Sequence, residues 1–267
     1  MSSSFAEWVR HFGITSTGIV HIGAHLAEEA ELYNELGFEP VLWVEALPDI
    51  AEKASRRIVN FPKQKVICST LSSESGKVLT FYRAGNEGSS SSLLAPHLIM
   101  AAHPEVRVSN ETRVITQTMD EILSDFHQYK FLCMDVQGAE LEVLKGGPEA
   151  LKRFDFVMSE VSIRQLYKGA PKFNEITNFL LRNGYLLIAS NINQTTGWGD
   201  ALYISQTRFV DLSSEQRIGL HTRGTQGLGL FTKIRGVAVT LGIEPNWIDP
   251  KKFLSRILGK GIKKNGD

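Results

Sequence analysis

The chain has 267 residues, and 29 lysine and arginine side chains balance 29 aspartate and glutamate side chains. A chain of this length is sufficient for one large domain with a substantial hydrophobic core. Its hydrophobic content of 42% excludes a largely disordered protein. A net charge of zero gives no general attraction to a phosphate backbone, so we expect no nucleic-acid partner.

The sequence contains no pattern typical of a targeting signal or a membrane span. Residues Met1 to Phe5 lack the basic and apolar regions of a secretory signal, and no apolar run approaches the roughly 18–20 residues that cross a bilayer. The two cysteines, Cys68 and Cys133, lie in apolar runs without the spacing of a zinc site, so we expect buried thiols. A cytoplasmic protein without an integral membrane segment is therefore expected.

Short apolar runs alternate with amphipathic stretches from about residue 18 to residue 205, as in parallel strands joined by helices. A helix within residues 1–17 is expected to cap the sheet. In chain order the predicted strands are 19–22, 41–44, 65–68, 131–134, 156–159 and 185–189, and the predicted helices are 28–36, 49–59, 139–144 and 174–183. The alternating run 201–204 predicts a late antiparallel strand. We therefore expect an open α/β domain over residues 18–207, followed by a basic C-terminal extension, 208–267.

The first predicted strand ends in a glycine and turns through small residues into a helix. In the run Gly23-Ala24-His25, backbone N–H groups and a helix N-terminus can approach a ligand closely. The run is not the GxGxxG dinucleotide fingerprint, because His25 stands where a second glycine is required. Alone, this turn is equally compatible with tight packing of a strand on a helix.

A single carboxylate, Glu45, ends the second predicted strand and follows Gly23 by 22 residues. In doubly wound folds, an acidic residue about 20 residues after the glycine turn binds the ribose hydroxyls of a nucleotide cofactor. The two signals at this separation favour a cofactor site over an exposed glutamate at a strand end.

Two further carboxylates, Asp135 and Glu160, end neighbouring predicted strands. They can serve as a general base and an orienting group, or together hold a divalent cation. Glu140 and Glu142 follow on a predicted helix, where we expect a solvated face.

A long polar segment interrupts the alternation between residues 83 and 108. It is rich in glycine, serine and proline, and long loops in compact domains are usually functional or disordered. We expect residues 86–103 to close over a substrate, with a flexible surface loop as the alternative.

Taken together, these segments resemble the FkbM family of S-adenosylmethionine-dependent methyltransferases. The resemblance extends over about residues 18–205 and is carried, in order, by HIGAH, VLWVEALP, SSSSLL, TMDEIL, FLCMDVQGAELEVLKGG, SEVSIRQLYKGAP, FNEITNFLLRNGY and GDALYIS. Its most specific part is DVQGAELEVLKG. The resemblance implies a class I methyltransferase (Rossmann-like) fold, with a mostly parallel sheet and an antiparallel final strand. It also implies methyl transfer to a hydroxyl, often on a sugar or another polar metabolite.

The same resemblance implies residues for the cofactor site. It puts Gly23, Ala24 and His25 in the cofactor turn, Glu29 near the ammonium group of the cofactor, and Glu45 on its ribose. Residues expected near the adenine are Ala46, Thr70, Leu71 and Ser72, and those expected on the methyl-donor side are Asp135, Val136 and Gln137.

Methyl transfer to a hydroxyl requires an aligned acceptor oxygen and a group that takes its proton. Asp135 is the first candidate for this base, Glu160 the second, and His97 or His103 from the long segment a third. Residues expected to bind the acceptor are Asn86, Ser90, Ser91 and Ser92.

The leading interpretation is therefore an O-methyltransferase acting on a small polar acceptor, a sugar or a glycan. An N-methyltransferase with the same donor site and a non-catalytic binding or scaffold protein are the alternatives, and a homo-oligomer is compatible with each. No metal ligands are assigned, although a divalent cation at Asp135 and Glu160 stays open. The basic tail is expected to pack on the domain, with a membrane surface or another subunit as alternatives.

Overall fold

The computed structural model describes residues 2–103 and 106–212. The chain divides into two units, residues 1–206 and 207–267, and the fold described below is that of the first unit. Most of the predicted basic extension, from residue 213 onward, lies outside the described residues.

The elements alternate as the sequence pattern predicts. The strands are β1 (Ile19–Ile22), β2 (Val41–Glu45), β3 (Gln64–Cys68), β4 (Thr70–Leu71), β5 (Val78–Ala84), β6 (Val108–Gln117), β7 (Phe131–Met134), β8 (Phe156–Ser162), β9 (Tyr185–Ser190) and β10 (Trp198–Ser205). The helices are α1 (Ser2–Phe12), α2 (Ala30–Glu35), α3 (Pro48–Arg57), α4 (Ile99–Ala102), α5 (Met119–Ile122), α6 (Glu140–Lys145), α7 (Pro148–Leu151), α8 (Phe173–Arg182) and α9 (Gln206–Asp211), with a 3-10 turn at Ile58–Asn60.

The main sheet has seven strands in the order β3-β2-β1-β7-β8-β10-β9. Strand β10 is antiparallel to both of its neighbours, whereas the pairs from β3 to β8 are parallel. The prediction of a mostly parallel sheet with an antiparallel final strand is confirmed. The chain reverses its direction of winding between β1 and β7, and open α/β sheets bind ligands at the carboxyl ends of the strands at such a point.

The central strands are buried on both faces, which explains why their sequences are continuously apolar. His21 of β1 is buried among them, and burial lowers its pKa to about 4. Its Nδ1 lies 3.0 Å from the Tyr33 hydroxyl. On the same side, Phe5 of α1 packs edge-on against Tyr33, Phe38 and Phe131.

A smaller sheet in the order β4-β6-β5 was not expected from the sequence. Strands β5 and β6 form an antiparallel hairpin whose connection is the long polar segment, here called the β5–β6 loop (residues 85–107). Almost every residue of β6 is exposed. Because this strand lacks a buried face, its sequence has no hydrophobic alternation to reveal it.

Two expectations about burial were wrong. Cys133 is buried, but Cys68 is exposed because β3 is an edge strand of the main sheet. Glu140 was expected on a solvated helix face, yet it is only 3% exposed. Among the described residues, no helix is long and apolar enough to cross a membrane, and the cellular compartment stays a prediction.

Candidate active site

The turn after β1 brings the ends of three central strands together. The N–H groups of Gly23 and Ala24 both donate to the carbonyl of Val44, at 2.9 and 3.1 Å. Gly23 has a φ of +84°, and a Cβ at this position would lie 1.8 Å from the carbonyl oxygen of Asp135. Only glycine fits here, because the backbone after β1 passes directly over the end of β7.

Glu45 is held at the end of β2 by two backbone groups of neighbouring turns. One carboxylate oxygen accepts from the N–H of His25 and the other from the N–H of Leu47, each at 2.9 Å. The side chain is buried, and burial raises its pKa. Each oxygen keeps a second lone pair, so the carboxylate can still accept hydrogen bonds from a ligand.

The His25 ring connects the turn to the β5–β6 loop. Its Nδ1 lies 2.7 Å from a Glu28 oxygen, and its Nε2 lies 3.4 Å from the carbonyl oxygen of Glu87. The hydrogen bond with Glu28 raises the pKa of His25. His25 has a φ of +44°, a conformation that is uncommon for residues other than glycine.

These groups line a cleft of about 560 Å³ at the carboxyl edge of the sheet, here called the first cleft. This volume includes space open to solvent. The β5–β6 loop closes one side, contributing Gly88, Ser89, Ser91 and Leu93. The opposite side is formed by Asp135, Val136 and Gln137 after β7.

Asp135 and Glu160 meet at the edge of the first cleft and share one amide. The Gln137 Nε2 donates to Asp135 Oδ1 at 2.6 Å and to Glu160 Oε2 at 3.1 Å. Burial raises the pKa of both carboxyls, and the Asp135 charge raises the pKa of Glu160 further, well above its ordinary value. Since two adjacent carboxylates resist joint ionisation, the pair favours sharing one proton, and Glu160, with the more strongly raised pKa, holds it more readily than Asp135.

Tyr167 fixes the orientation of that amide. Its hydroxyl lies 2.6 Å from Gln137 Oε1 and 3.1 Å from the carbonyl oxygen of Ser90. The Ser92 hydroxyl donates to the Gln137 carbonyl at 2.7 Å and accepts from the Leu94 N–H at 2.9 Å. The β5–β6 loop is therefore bonded directly to the residue that joins the two carboxyls.

The Glu140 carboxylate accepts hydrogen bonds from the main chain of the turn after β7. Its Oε1 accepts from the N–H groups of Val136 and Gly138, both at 3.1 Å. Burial raises its pKa to about 7. The sequence pattern did not predict this function, because a glutamate in the first turn of a helix is usually solvated.

A second cleft of about 320 Å³, also partly open to solvent, lies beyond Gly138. Its lining includes Glu160, Ser162, Arg164, Tyr167 and Trp198. Alternate residues of the turn after β7 line the two clefts, since Gln137 and Ala139 face the first whereas Gly138 and Glu140 face the second.

Most of the residues predicted for the cofactor line the first cleft, namely Gly23, His25, Glu45, Ala46, Thr70, Leu71, Asp135, Val136 and Gln137. Three others lie outside this lining. Ala24 is buried within the turn, and Ser72 is buried with its N–H on the Gln117 carbonyl, 2.9 Å away. Glu29 is the N-cap residue of α2 and is partly buried.

The residues predicted for the acceptor do not form one group. Ser91 lines the first cleft and Ser92 is buried beside it, whereas Asn86 Nδ2 donates to the Ser90 hydroxyl at 2.9 Å within the loop. Of the two loop histidines, His97 is exposed and His103 packs its ring against Trp198, with centroids 5.1 Å apart. Neither histidine is among the lining residues of the first or the second cleft. The structure does bring Asp135 and Glu160 together, and the catalytic roles stay predictions.

Sequence reasoning missed several lining residues of the first cleft: Ser69, Phe81, Gly88, Ser89 and Leu93. They come from the β5–β6 hairpin and the β3–β4 junction, whose approach to the sheet no local pattern indicates. Tyr167, which orients Gln137, was missed as well, although it lies within the LYKGAP segment that carried the family resemblance.

Within residues 2–103 and 106–212, no group of three or more histidine, cysteine, aspartate or glutamate side chains is arranged to hold a metal ion. The hydrogen bonds from the Gln137 amide instead account for one oxygen each of Asp135 and Glu160.

The sheet order, the antiparallel β10 and a cleft at the carboxyl ends of β1, β2 and β7 together define the class I methyltransferase fold. A family model described as the methyltransferase FkbM domain matches residues 21–187. The chain belongs to this family, and it is an S-adenosylmethionine-dependent methyltransferase.

Individual relatives are distant. The chain is 25% identical over 171 residues to the 2-O-methyltransferase NoeI of Sinorhizobium fredii, covering 61% of this chain and 70% of the relative. A solved structure with a similar fold is the magnesium protoporphyrin IX methyltransferase of Synechocystis with bound S-adenosylmethionine, at 10% identity and a TM-score of 0.46, covering 76% of this chain and 77% of that one. A TehB-like methyltransferase of Corynebacterium glutamicum has 11% identity and a TM-score of 0.42, covering 75% and 86%.

Proposed function

We propose that the protein transfers a methyl group from S-adenosylmethionine to a hydroxyl of a small polar acceptor, a sugar or a glycan. The observation that carries the proposal is the pair of carboxyls, Asp135 and Glu160, joined by the Gln137 amide at the edge of the first cleft. A hydroxyl must lose its proton as it is methylated, and this pair offers a proton acceptor. The relationship to a 2-O-methyltransferase supports the same acceptor atom.

The first cleft has the residues that the donor requires. Glu45 offers carboxylate lone pairs for two ribose hydroxyls, next to the N–H groups that hold it. Ala46, Thr70, Leu71 and Phe81 provide a largely apolar wall for an adenine ring. The turn at Gly23 and His25 lies on the side of Asp135, where the methionine portion would bind. When bound, the donor supplies a sulfonium methyl group that is already electrophilic.

The residues after β7 would act on the acceptor. Asp135 is the carboxyl of the pair that ionises more readily, and it accepts the proton of the acceptor hydroxyl. Glu160 keeps its own proton and donates a hydrogen bond, while Gln137 holds both carboxyls in place. General-base assistance of this kind contributes about 10²- to 10⁴-fold to a rate. The Ser89, Ser91 and Leu93 side of the loop shields the first cleft from water.

The proposal is tested by formation of S-adenosylhomocysteine in a screen of sugars, glycans, polyols and amino sugars. We expect turnover on a hydroxyl acceptor and a loss of about 100-fold or more in kcat for Asp135→Asn. Binding of S-adenosylmethionine by this variant, measured by calorimetry, separates lost chemistry from a lost donor site. Glu31→Gln, on the exposed face of α2, is the matched control and keeps full activity.

Other outcomes of this experiment identify the alternatives. Methylation confined to amino groups, established by mass spectrometry of the product, makes the protein an N-methyltransferase. No binding of S-adenosylmethionine at millimolar concentration, and no turnover on any acceptor, supports a scaffold protein and overturns the proposal.

A further inference from the structure

The second cleft adjoins the first at the carboxyl pair. Asp135 lines the first cleft and Glu160 lines the second, and the Gln137 amide bonds to both. Gly138, beside Gln137, lines the second cleft and is closely packed. A Cβ at Gly138 would lie 3.1 Å from the Ala170 side chain and 3.2 Å from that of Tyr167. A ligand in the second cleft can therefore present one group directly to the edge of the first.

The lining of the second cleft combines an aromatic surface with hydrogen-bonding groups. Trp198 is partly exposed at the start of β10, and its main chain is paired with Ser162 of β8. Apolar atoms of Leu166 and Pro171 extend this surface, and Glu160 supplies a carboxyl. The Ser162 hydroxyl donates to main-chain carbonyls, at 2.7 and 2.8 Å, and keeps a lone pair that can accept from a ligand. An apolar face beside convergent hydrogen-bonding groups matches a pyranose ring, which has C–H groups on its faces and hydroxyls around its edge.

The charged groups around the second cleft restrict the charge that its ligand can carry. Three carboxyls, Asp135, Glu140 and Glu160, lie at the junction of the clefts; the Asp135 charge raises the pKa of both glutamates, and the Glu140 charge raises that of Glu160 further. A ligand carboxylate or phosphate placed there would meet like charge in a partly desolvated site. Among the described residues of the lining, Arg164 alone is cationic; it is exposed, and its Nη1 is bonded to the Thr195 carbonyl at 3.1 Å. A neutral ring is favoured at the reacting position.

We propose that the second cleft binds a single uncharged pyranose ring of the acceptor, with Trp198 against its C–H face and Glu160 and Ser162 on its hydroxyls. This inference rests on the proposed methyl transfer. The second cleft is partly open to solvent and is smaller than the first, at about 320 Å³ against about 560 Å³, so further sugar units of a longer glycan extend into solvent.

The test uses the full chain saturated with S-adenosylhomocysteine, so that no turnover occurs. Saturation-transfer NMR is recorded with methyl glycosides of neutral hexoses and deoxyhexoses, and with methyl glucuronoside as the anionic probe. We expect signal on ring protons of at least one neutral glycoside and none on the glucuronoside. Trp198→Ala should weaken that binding at least about tenfold, as for a buried aromatic anchor, and Trp198→Phe should restore most of it.

Ile163→Ala is the matched control, because this exposed residue directly follows β8 and donates its N–H to the carbonyl of Gly197, next to Trp198, but is not in the cleft lining. Calorimetry with S-adenosylhomocysteine and a thermal melt verify that each variant is folded with an intact first cleft. Unchanged glycoside binding by Trp198→Ala, or no neutral glycoside bound by the wild type, overturns the inference. If the wild type methylates an acceptor whose KM does not respond to Trp198→Ala, the methyl transfer stands and the pyranose site fails.

Discussion

Gly23 is the residue at which the fold tolerates least change. A methyl group there would overlap the Asp135 carbonyl, 1.8 Å away, and the φ of +84° is unfavourable for any other residue. We predict that Gly23→Ala separates the ends of β1 and β7 and destabilises the fold by about 1–3 kcal/mol or more. Urea unfolding measures the loss, and calorimetry measures the accompanying loss of donor affinity.

Gly37→Ala is the control for this prediction. Gly37 has a φ of +75°, but a Cβ there would meet no atom within 4 Å. Gly37→Ala therefore introduces the strain of a positive φ but no steric overlap with neighbouring atoms. Equal losses of donor affinity in the two variants would show that close packing at Gly23 is unimportant for the site.

Glu140 makes the stability of the protein depend on pH. Because burial raises its pKa from 4.5 to about 7, the folded state binds more protons than the unfolded state between these values. Its contribution is complete below about pH 4.5 and is lost as pH rises through about 7, by up to about 3 kcal/mol. We predict that Glu140→Gln, which keeps the acceptor oxygen for Val136 and Gly138, reduces this decline.

The measurement is the urea midpoint between pH 5 and pH 8. Glu142→Gln is the control on the same helix. Hydrogen bonds from Lys145 and Ser73 lower the pKa of Glu142, so this carboxyl stays ionised throughout this pH range. An identical pH slope in wild type and Glu140→Gln would contradict the assignment.

Ser92 connects the β5–β6 loop to the turn after β7 by hydrogen bonds. This buried hydroxyl is bonded to both the Gln137 carbonyl and the Leu94 N–H. Ser92→Ala leaves both groups without this partner, which costs about 1–3 kcal/mol when the groups are buried. We predict faster amide hydrogen exchange in the loop and faster donor dissociation, with little change in exchange at β1 and β7.

Ser109→Ala is the control for Ser92→Ala, because its hydroxyl bonds to the Arg83 carbonyl on the exposed side of the same hairpin. The loop had been expected to cover the acceptor, and its serines at 89 and 91 line the first cleft. Loop exchange that is equally slow in wild type and Ser92→Ala would rule out this serine as the fastening point.

For the whole molecule, donor binding should raise thermal stability. At 100 times Kd, a ligand that binds only the folded state stabilises it by about 2.7 kcal/mol, a shift in Tm of roughly 5–10 °C for a domain of this size. We predict this shift with S-adenosylmethionine, a smaller one with Glu45→Gln at the same concentration, and none with methionine alone. Differential scanning fluorimetry gives the result, and an absent shift in the wild type contradicts donor binding in the first cleft.

A residue of the site could be predicted where a local sequence pattern marks its position in the fold. Glu45 and Asp135 could be placed because each directly follows a buried apolar strand, and parallel strands end at a common edge. Phe81 and Leu93 could not, since they reach the first cleft through a hairpin whose second strand is exposed and has no periodic pattern. Glu140 was misplaced because helical periodicity does not reveal that the preceding turn needs a buried acceptor for its N–H groups.

The Tyr167 hydroxyl touches both the Ser90 carbonyl of the loop and the Gln137 amide at the junction. A ligand in either cleft that shifts this hydroxyl changes the free energy of binding in the other. Such coupling is reciprocal, so the donor must alter acceptor affinity by the same factor as the acceptor alters donor affinity. Tyr167→Phe would therefore make the two binding events more independent.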